Sequence, residues 1–164
     1  MRTSYSKNRI QVLLLENIDR RADALFKDNG YQVETVPHSL DESELLKRVR
    51  DLSILGIRSK TQLSKHVIAA ADKLIAIGAF CIGTNQIDLQ ACLQNGIAVF
   101  NAPYSNTRSV GELIIGEIIM LQRDVFDKSM KLHSGVWDKS ARGSFEVRGK
   151  KLGIIGYGKR FFRL

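Results

Sequence analysis

Leu74-Ile-Ala-Ile77, Leu89-Gln-Ala-Cys-Leu-Gln94 and Ile97-Ala-Val-Phe100 follow one another within a single stretch, and their order decides the fold. The first and third are short apolar runs of the kind found in buried parallel strands, and the second has helical character. A strand, a helix and a strand at this spacing form one crossover unit of a parallel sheet. Outward toward the N-terminus the rhythm repeats. Ser53-Ile-Leu-Gly-Ile57 reads as a strand, and Ser64 caps a helix running to about Ala71. Before them, Ile10-Gln-Val-Leu-Leu-Leu15 and Tyr31 to Val36 read as strands. A helix from about Ile18 to Asp28, with Ala22, Leu25 and Phe26 on one face, joins those two and closes at Asn29-Gly30. Ser39 to Asp41 marks a helix start, with Leu45, Leu46 and Val49 facing inward over residues 42–50. The fold class is therefore α/β, a parallel sheet covered by helices on both faces.

Beyond Phe100 the pattern changes. Ser109 to about His133 reads as one helix, on the order of 35 Å long, with Ser109 and Glu112 placed to form a capping box. Its mixed apolar and polar positions predict burial on more than one side. Residues 134–150 read as loop, and Lys151-Leu-Gly-Ile-Ile155 as a final strand. That strand runs into Gly156-Tyr-Gly158, the way a dinucleotide-binding fold begins: strand, tight turn, then a helix N-terminus that receives a pyrophosphate. Phe161 stands where the third glycine of that pattern would fall, and no acidic residue for a ribose hydroxyl follows.

The composition sets outer limits. The 164 residues carry a formal charge of +8, with 44% hydrophobic and 26% charged residues. That is ordinary for a globular protein and too short for two complete α/β domains. The basic residues lack the interleaved aromatics that nucleic-acid stacking requires, so they point to a basic surface or a phosphorylated metabolite. No apolar run reaches membrane-spanning length. Cys81 and Cys92 have neither metal-ligand spacing nor a disulfide framework, which fits a reduced cytoplasm.

Five segments carry a resemblance. Gly56-Ile-Arg-Ser-Lys-Thr61, Ile75 to Asp88, and Asn101-Ala-Pro-Tyr-Ser-Asn-Thr-Arg-Ser-Val-Gly-Glu112 are three of them. Gly135-Val-Trp-Asp-Lys139 and Gly149-Lys-Lys-Leu-Gly-Ile-Ile-Gly-Tyr-Gly158 complete the set. Together they resemble the phosphoglycerate dehydrogenases among the D-2-hydroxyacid dehydrogenases, from about Ile10 to Gly158.

The resemblance implies a flavodoxin-like substrate-binding domain over 1–100, then an interdomain helix and subunit-interface arm over 101–150. Only the first strand of a Rossmann NAD-binding domain would lie in 151–164. It also implies oxidation of 3-phosphoglycerate to 3-phosphohydroxypyruvate with NAD, in serine biosynthesis, by a homo-oligomer. The family's catalytic histidine, carboxylate and arginine would fall further along than Leu164, and His38, His66 and His133 occupy none of those positions.

On the substrate side, Arg58, Ser59 and Lys60 match residues that face substrate, as does Asn106. A guanidinium fork and a hydroxyl suit an oxyanion. Lys60 keeps a charge where the family often has arginine, and loses the fork. Gly156, Gly158, Lys159 and Arg160 match the cofactor loop, and Trp137 and Lys139 the interface segment. Lys159-Arg-Phe-Phe-Arg-Leu164 departs from the family pattern, as a change of reading frame would leave it. The expectation is a truncated member, inactive alone and unable to bind NAD unaided. The alternative is a non-catalytic phosphometabolite-binding or subunit-interaction module that pairs with full-length subunits.

Overall fold

Four-residue strands build the first part of the chain, which divides into two units between Ser105 and Asn106. The computed structural model describes residues 6–155. The strands are β1 (Gln11–Leu14), β2 (Gln32–Thr35), β3 (Ile54–Ile57), β4 (Ala76–Ala79) and β5 (Ala98–Asn101). They form one five-stranded sheet in the order β2-β1-β3-β4-β5. Every pairing is parallel, with Leu13 opposite Glu34 on one side and Leu55 on the other. This is the flavodoxin-like order, whose direction of progression reverses between β1 and β3.

The alternation of side chains along each strand divides the core in two. Leu13, Leu55, Ile57, Ile77 and Ala79 pack with Leu45, Val49, Val67, Ile68, Ala91 and Cys92. Those partners come from α2 (Glu42–Arg48) with the 3-10 turn after it, α3 (Lys65–Ala69) and α4 (Leu89–Gln94). Val12, Leu14 and Ile18 form a smaller cluster with Ala22 and Phe26 of α1 (Arg20–Asp28). Burying these side chains is the main source of stability, at roughly 25 cal/mol per Å² of apolar surface.

The helix ends carry the chemistry the sequence offers them. Asp41 and Glu44 close a capping box on α2, Ser64 caps α3 and Asp88 caps α4. Gly30, at φ +87, ends α1 in the left-handed conformation that glycine adopts without cost. Two assignments are corrected: Leu46, expected inward, is exposed, and of the expected α1 face Ala22 and Phe26 pack on the core while Leu25 is exposed. Helical period alone does not fix how wide the buried stripe is. β4 also lies two residues later than its apolar run suggests, because Leu74 is buried ahead of the strand.

The second unit departs further from expectation. In place of one helix from Ser109 to His133 there are α5 (Thr107–Gln122) and α6 (Val125–His133). Asp124, at φ 56, breaks the run. The carbonyls freed at the end of α5 are taken by a later loop: Phe145 N–H donates to Gln122 O at 2.7 Å and Ser144 Oγ to Arg123 O at 3.3 Å. The expected capping box is absent. α5 begins two residues earlier, at Thr107, and Glu112 instead pairs with Arg108 one turn back at 2.7 Å. α5 is not buried on several sides either, since Leu113, Ile115, Ile119 and Leu121 are exposed.

Lys151–Ile155 forms no strand. Its backbone groups have no neighbouring strand to pair with among the described residues of this unit, and an unpaired strand is not stable in water.

Candidate anion-binding site

In an open parallel sheet, ligands bind beyond the carboxyl ends of the strands where the strand order reverses. Here that place lies between the ends of β1 and β3, and two loops meet there. Leu15-Glu16-Asn17 follows β1, and Arg58-Ser59-Lys60-Thr61 follows β3. Both Glu16 (φ 61) and Asn17 (φ 53) take left-handed backbone conformations, uncommon for residues other than glycine. Their turn aims the Glu16 side chain back under the second loop.

Glu16 is buried, and its carboxylate accepts three backbone N–H groups from that loop. Oε1 receives Arg58 N–H at 3.1 Å and Thr61 N–H at 2.9 Å, and Oε2 receives Lys60 N–H at 3.0 Å. Burial by itself would raise the pKa of this carboxyl. The Thr61 hydroxyl, buried and outside good hydrogen-bond geometry, opposes burial together with the three N–H donors, and their sum holds the pKa below its ordinary value. The Glu16 N–H in turn donates to His38 O at 3.2 Å, tying in the loop after β2.

The other side of the Arg58 loop is held by Gln86, also buried. Its Nε2 donates to Arg58 O at 2.8 Å, with Cys81 Sγ and Gly83 O both at 3.3 Å. Glu16 thus takes the loop's donors while Gln86 serves its acceptor. The ends of β1, β3 and β4 are linked through two buried polar side chains, and the Glu16 backbone N–H adds the end of β2.

With the N–H groups of Arg58, Lys60 and Thr61 committed, this loop cannot cradle an anion on its backbone as a glycine-rich loop does. Its side chains remain available. Arg58, Ser59 and Lys60 are exposed and line a cavity of about 380 Å³ together with Asn17 and His38. Arg58 also faces a second cavity of about 720 Å³, bounded by Asn17, Ile18, Asp19, Arg20 and Phe80. Arg58 and Asn17 line both. Asp19, at the rim, is engaged by the Arg21 guanidinium at 3.0 Å and by Arg21 N–H, which hold its carboxyl down to about 2.

Three of the four substrate residues expected from the sequence therefore converge, while Asn106 belongs to the second unit, at the start of α5. Its side chain makes no capping hydrogen bond there. Glu16, Asn17 and Gln86 are what the sequence reading missed. The available signal was an acidic residue placed directly after an apolar strand, where a carboxylate has little reason to sit unless donors await it. His38, which matches no catalytic position of the family, is exposed and belongs to the cavity wall.

In the second unit, Trp137 and Lys139 lie on the segment after α6. Trp137 lines a groove with Val125, Lys128 and Leu132. A Lys131–Asp138 ion pair at 2.8 Å holds the segment against the helix. The expected cofactor residues Gly156, Gly158, Lys159 and Arg160 lie outside the described residues, as does Phe161. Among the described residues no group of three His, Cys, Asp or Glu could hold a metal ion, and no helix is long and apolar enough to cross a membrane.

The profile of the D-isomer specific 2-hydroxyacid dehydrogenase catalytic domain matches residues 12–154. The chain belongs to the D-2-hydroxyacid dehydrogenase family. Among similar family members, the putative D-3-phosphoglycerate dehydrogenase of Schizosaccharomyces pombe is 53% identical over 94% of this chain and 33% of its own length. The D-3-phosphoglycerate dehydrogenase of Escherichia coli K12 is 52% identical over 96% of this chain and 38% of its own. The chain therefore spans about a third of the length of the curated dehydrogenases it matches.

Solved structures share the fold of this chain. The TT0316 protein of Thermus thermophilus superposes with a TM-score of 0.73 at 24% identity, over 80% of this chain and 42% of its own. The NAD-bound 3-phosphoglycerate dehydrogenase of Entamoeba histolytica gives 0.61 at 23% identity, over 71% and 40%.

Proposed function

We propose that this chain supplies the substrate side of a phosphoglycerate dehydrogenase and binds 3-phosphoglycerate through Arg58, Ser59 and Lys60. The observation that carries the reading is the convergence of those three side chains at the reversal point of the sheet, on a loop with three committed backbone donors. The names of the relatives support the choice of substrate. The Arg58 fork would take two oxygens of a phosphate or carboxylate, Ser59 would donate one hydrogen bond, and Lys60 would add a point charge.

In this reading the family reaction is oxidation of 3-phosphoglycerate to 3-phosphohydroxypyruvate, in a cytoplasmic serine pathway. NAD is the cofactor that accepts the hydride, and Gly156, Gly158, Lys159 and Arg160 would stand on its loop. The 164-residue chain by itself binds substrate without turning it over. It comprises a substrate-binding domain over 1–100, a connecting and interface segment over 101–150, and the start of a nucleotide-binding domain over 151–164.

Calorimetric titration of the chain with 3-phosphoglycerate tests the binding. A saturable heat that inorganic phosphate competes away supports it, and no heat overturns it. A parallel assay with 3-phosphoglycerate and NAD should show no NADH, and turnover would overturn the non-catalytic part.

A second reading rests on a separate observation. Trp137 is 74% exposed although the groove beneath it is formed, which suits an aromatic anchor on a neighbouring subunit. Trp137 and Lys139 would then serve assembly, either between copies of this chain or with full-length subunits. Light scattering of the chain alone and mixed with an intact phosphoglycerate dehydrogenase decides this. A monomer in both samples removes it.

A further inference from the structure

Two facts about the Arg58 loop pull in opposite directions. An anion site gains from every positive charge near it, yet a buried carboxylate, Glu16, lines the same cavity as Arg58, Ser59 and Lys60. By charge alone Glu16 weakens anion binding. Its three contacts span Arg58, Lys60 and Thr61, the whole length of the loop, and its own backbone is held in an uncommon conformation that makes those contacts possible.

We infer that Glu16 is a positioning residue for the anion site. Its carboxylate draws the loop's backbone N–H groups inward, and Arg58, Ser59 and Lys60 are thereby left facing the cavity. This inference rests on the reading of that cavity as a 3-phosphoglycerate site, and deepens it by naming what arranges the site. Gln86 completes the arrangement from the carbonyl side through Arg58 O. The carboxylate is suited to the task because it accepts on both oxygens at once. A carboxamide of the same size offers one oxygen, and its NH2 would confront the Lys60 N–H, donor against donor.

The sign of the mutational effect separates positioning from simple charge. Glu16→Gln removes a negative charge from beside the anion, so electrostatics alone predicts tighter binding. Positioning predicts weaker binding, on the order of tenfold, because the loop loses acceptors it cannot replace. Glu16→Asp keeps the charge and shortens the reach by one methylene, so charge alone predicts no change and positioning predicts loss.

The experiment uses the 164-residue chain in both variants. Hydrogen exchange at the Arg58, Lys60 and Thr61 amides is measured without ligand, and titrations use inorganic phosphate and 3-phosphoglycerate. The expected result is faster exchange at those three amides and weaker binding of both anions, in whichever variant keeps the wild-type circular dichroism. Unchanged exchange, or binding as tight as wild type or tighter, overturns the inference. If the wild-type chain binds neither anion, the proposed function fails, and the exchange result still decides whether Glu16 holds the loop.

Discussion

The Glu16 carboxylate and the Thr61 backbone N–H, 45 residues apart in the chain, meet at 2.9 Å beneath the loop that carries Arg58. This contact makes the loop responsive to pH in a definite direction. The folded pKa of Glu16 lies below the ordinary value of 4.5, so the ionised form is the one the fold favours. Its contribution to stability is complete above about pH 4.5 and is lost as pH falls through the lower folded value. Glu16→Gln should cost about 1–3 kcal/mol near neutral pH, as expected when buried donors lose a charged acceptor. That difference from wild type should hold steady well above pH 4.5 and shrink as pH falls below 4.5 and through the lower folded value. Urea melts of both proteins across this range check it, and a difference that stays constant down to about pH 2 would sink it.

Gly56 lies in β3 at the point where the cavity wall meets the core. A Cβ placed there would stand 2.6 Å from Leu14 Cδ2, 3.1 Å from Ile18 Cδ1 and 3.2 Å from Phe80 Cε2. Leu14 is almost wholly buried and has little room to yield, and Ile18 and Phe80 both bound the larger cavity. Gly56→Ala should therefore destabilise the chain by about 1–3 kcal/mol through overpacking. It should also disturb anion binding without touching a polar group. Thermal melting with a phosphate titration measures both, and a variant as stable as wild type would show that the wall gives way freely.

Asp124 separates α5 from α6 at φ 56, a conformation that aspartate tolerates better than alanine. Its side chain makes no capping hydrogen bond to α6, so the break rests on backbone preference and on the loop contacts at Gln122 and Arg123. Asp124→Ala should cost about 1 kcal/mol, and Asp124→Gly should cost less. Denaturant midpoints for the two variants provide the comparison. Equal loss in both would place the cause elsewhere than in the backbone.

The sheet was legible because its signals are local. Ser53 to Ile57 or Leu89 to Gln94 announces its element within a few residues, and Asp41, Ser64 and Asp88 stand where a helix N-terminus needs an acceptor. Arg58, Ser59 and Lys60 were singled out for another reason, that the segment around them resembles a family. Glu16 was not, because its partners lie 42, 44 and 45 residues away and no local period links them. The break at Asp124 was hidden too. Nothing in Gln122-Arg123-Asp124-Val125 stops a helix by composition, and the loop that takes its carbonyls arrives more than twenty residues later in the chain. The segment Lys151–Ile155 shows the converse: it has strand composition, and it forms no strand where the described residues of its own unit offer no partner strand.

Arg58 and Lys60 have different parts in the proposed site, and their exchange separates geometry from charge. Arg58→Lys preserves the charge and removes the planar fork, so binding of 3-phosphoglycerate should weaken about tenfold, the worth of one charge-assisted hydrogen bond. Lys60→Arg adds a fork where the chain has a point charge, and should tighten binding by no more than about the same factor. The Arg58 carbonyl is held by Gln86 and its N–H by Glu16, so the Arg58→Lys variant should keep the loop in place. Exchange rates at the loop amides should then match wild type while affinity falls. If Arg58→Lys bound as tightly as wild type, Arg58 would be acting only as a charge, and bidentate recognition at this position would have to be given up.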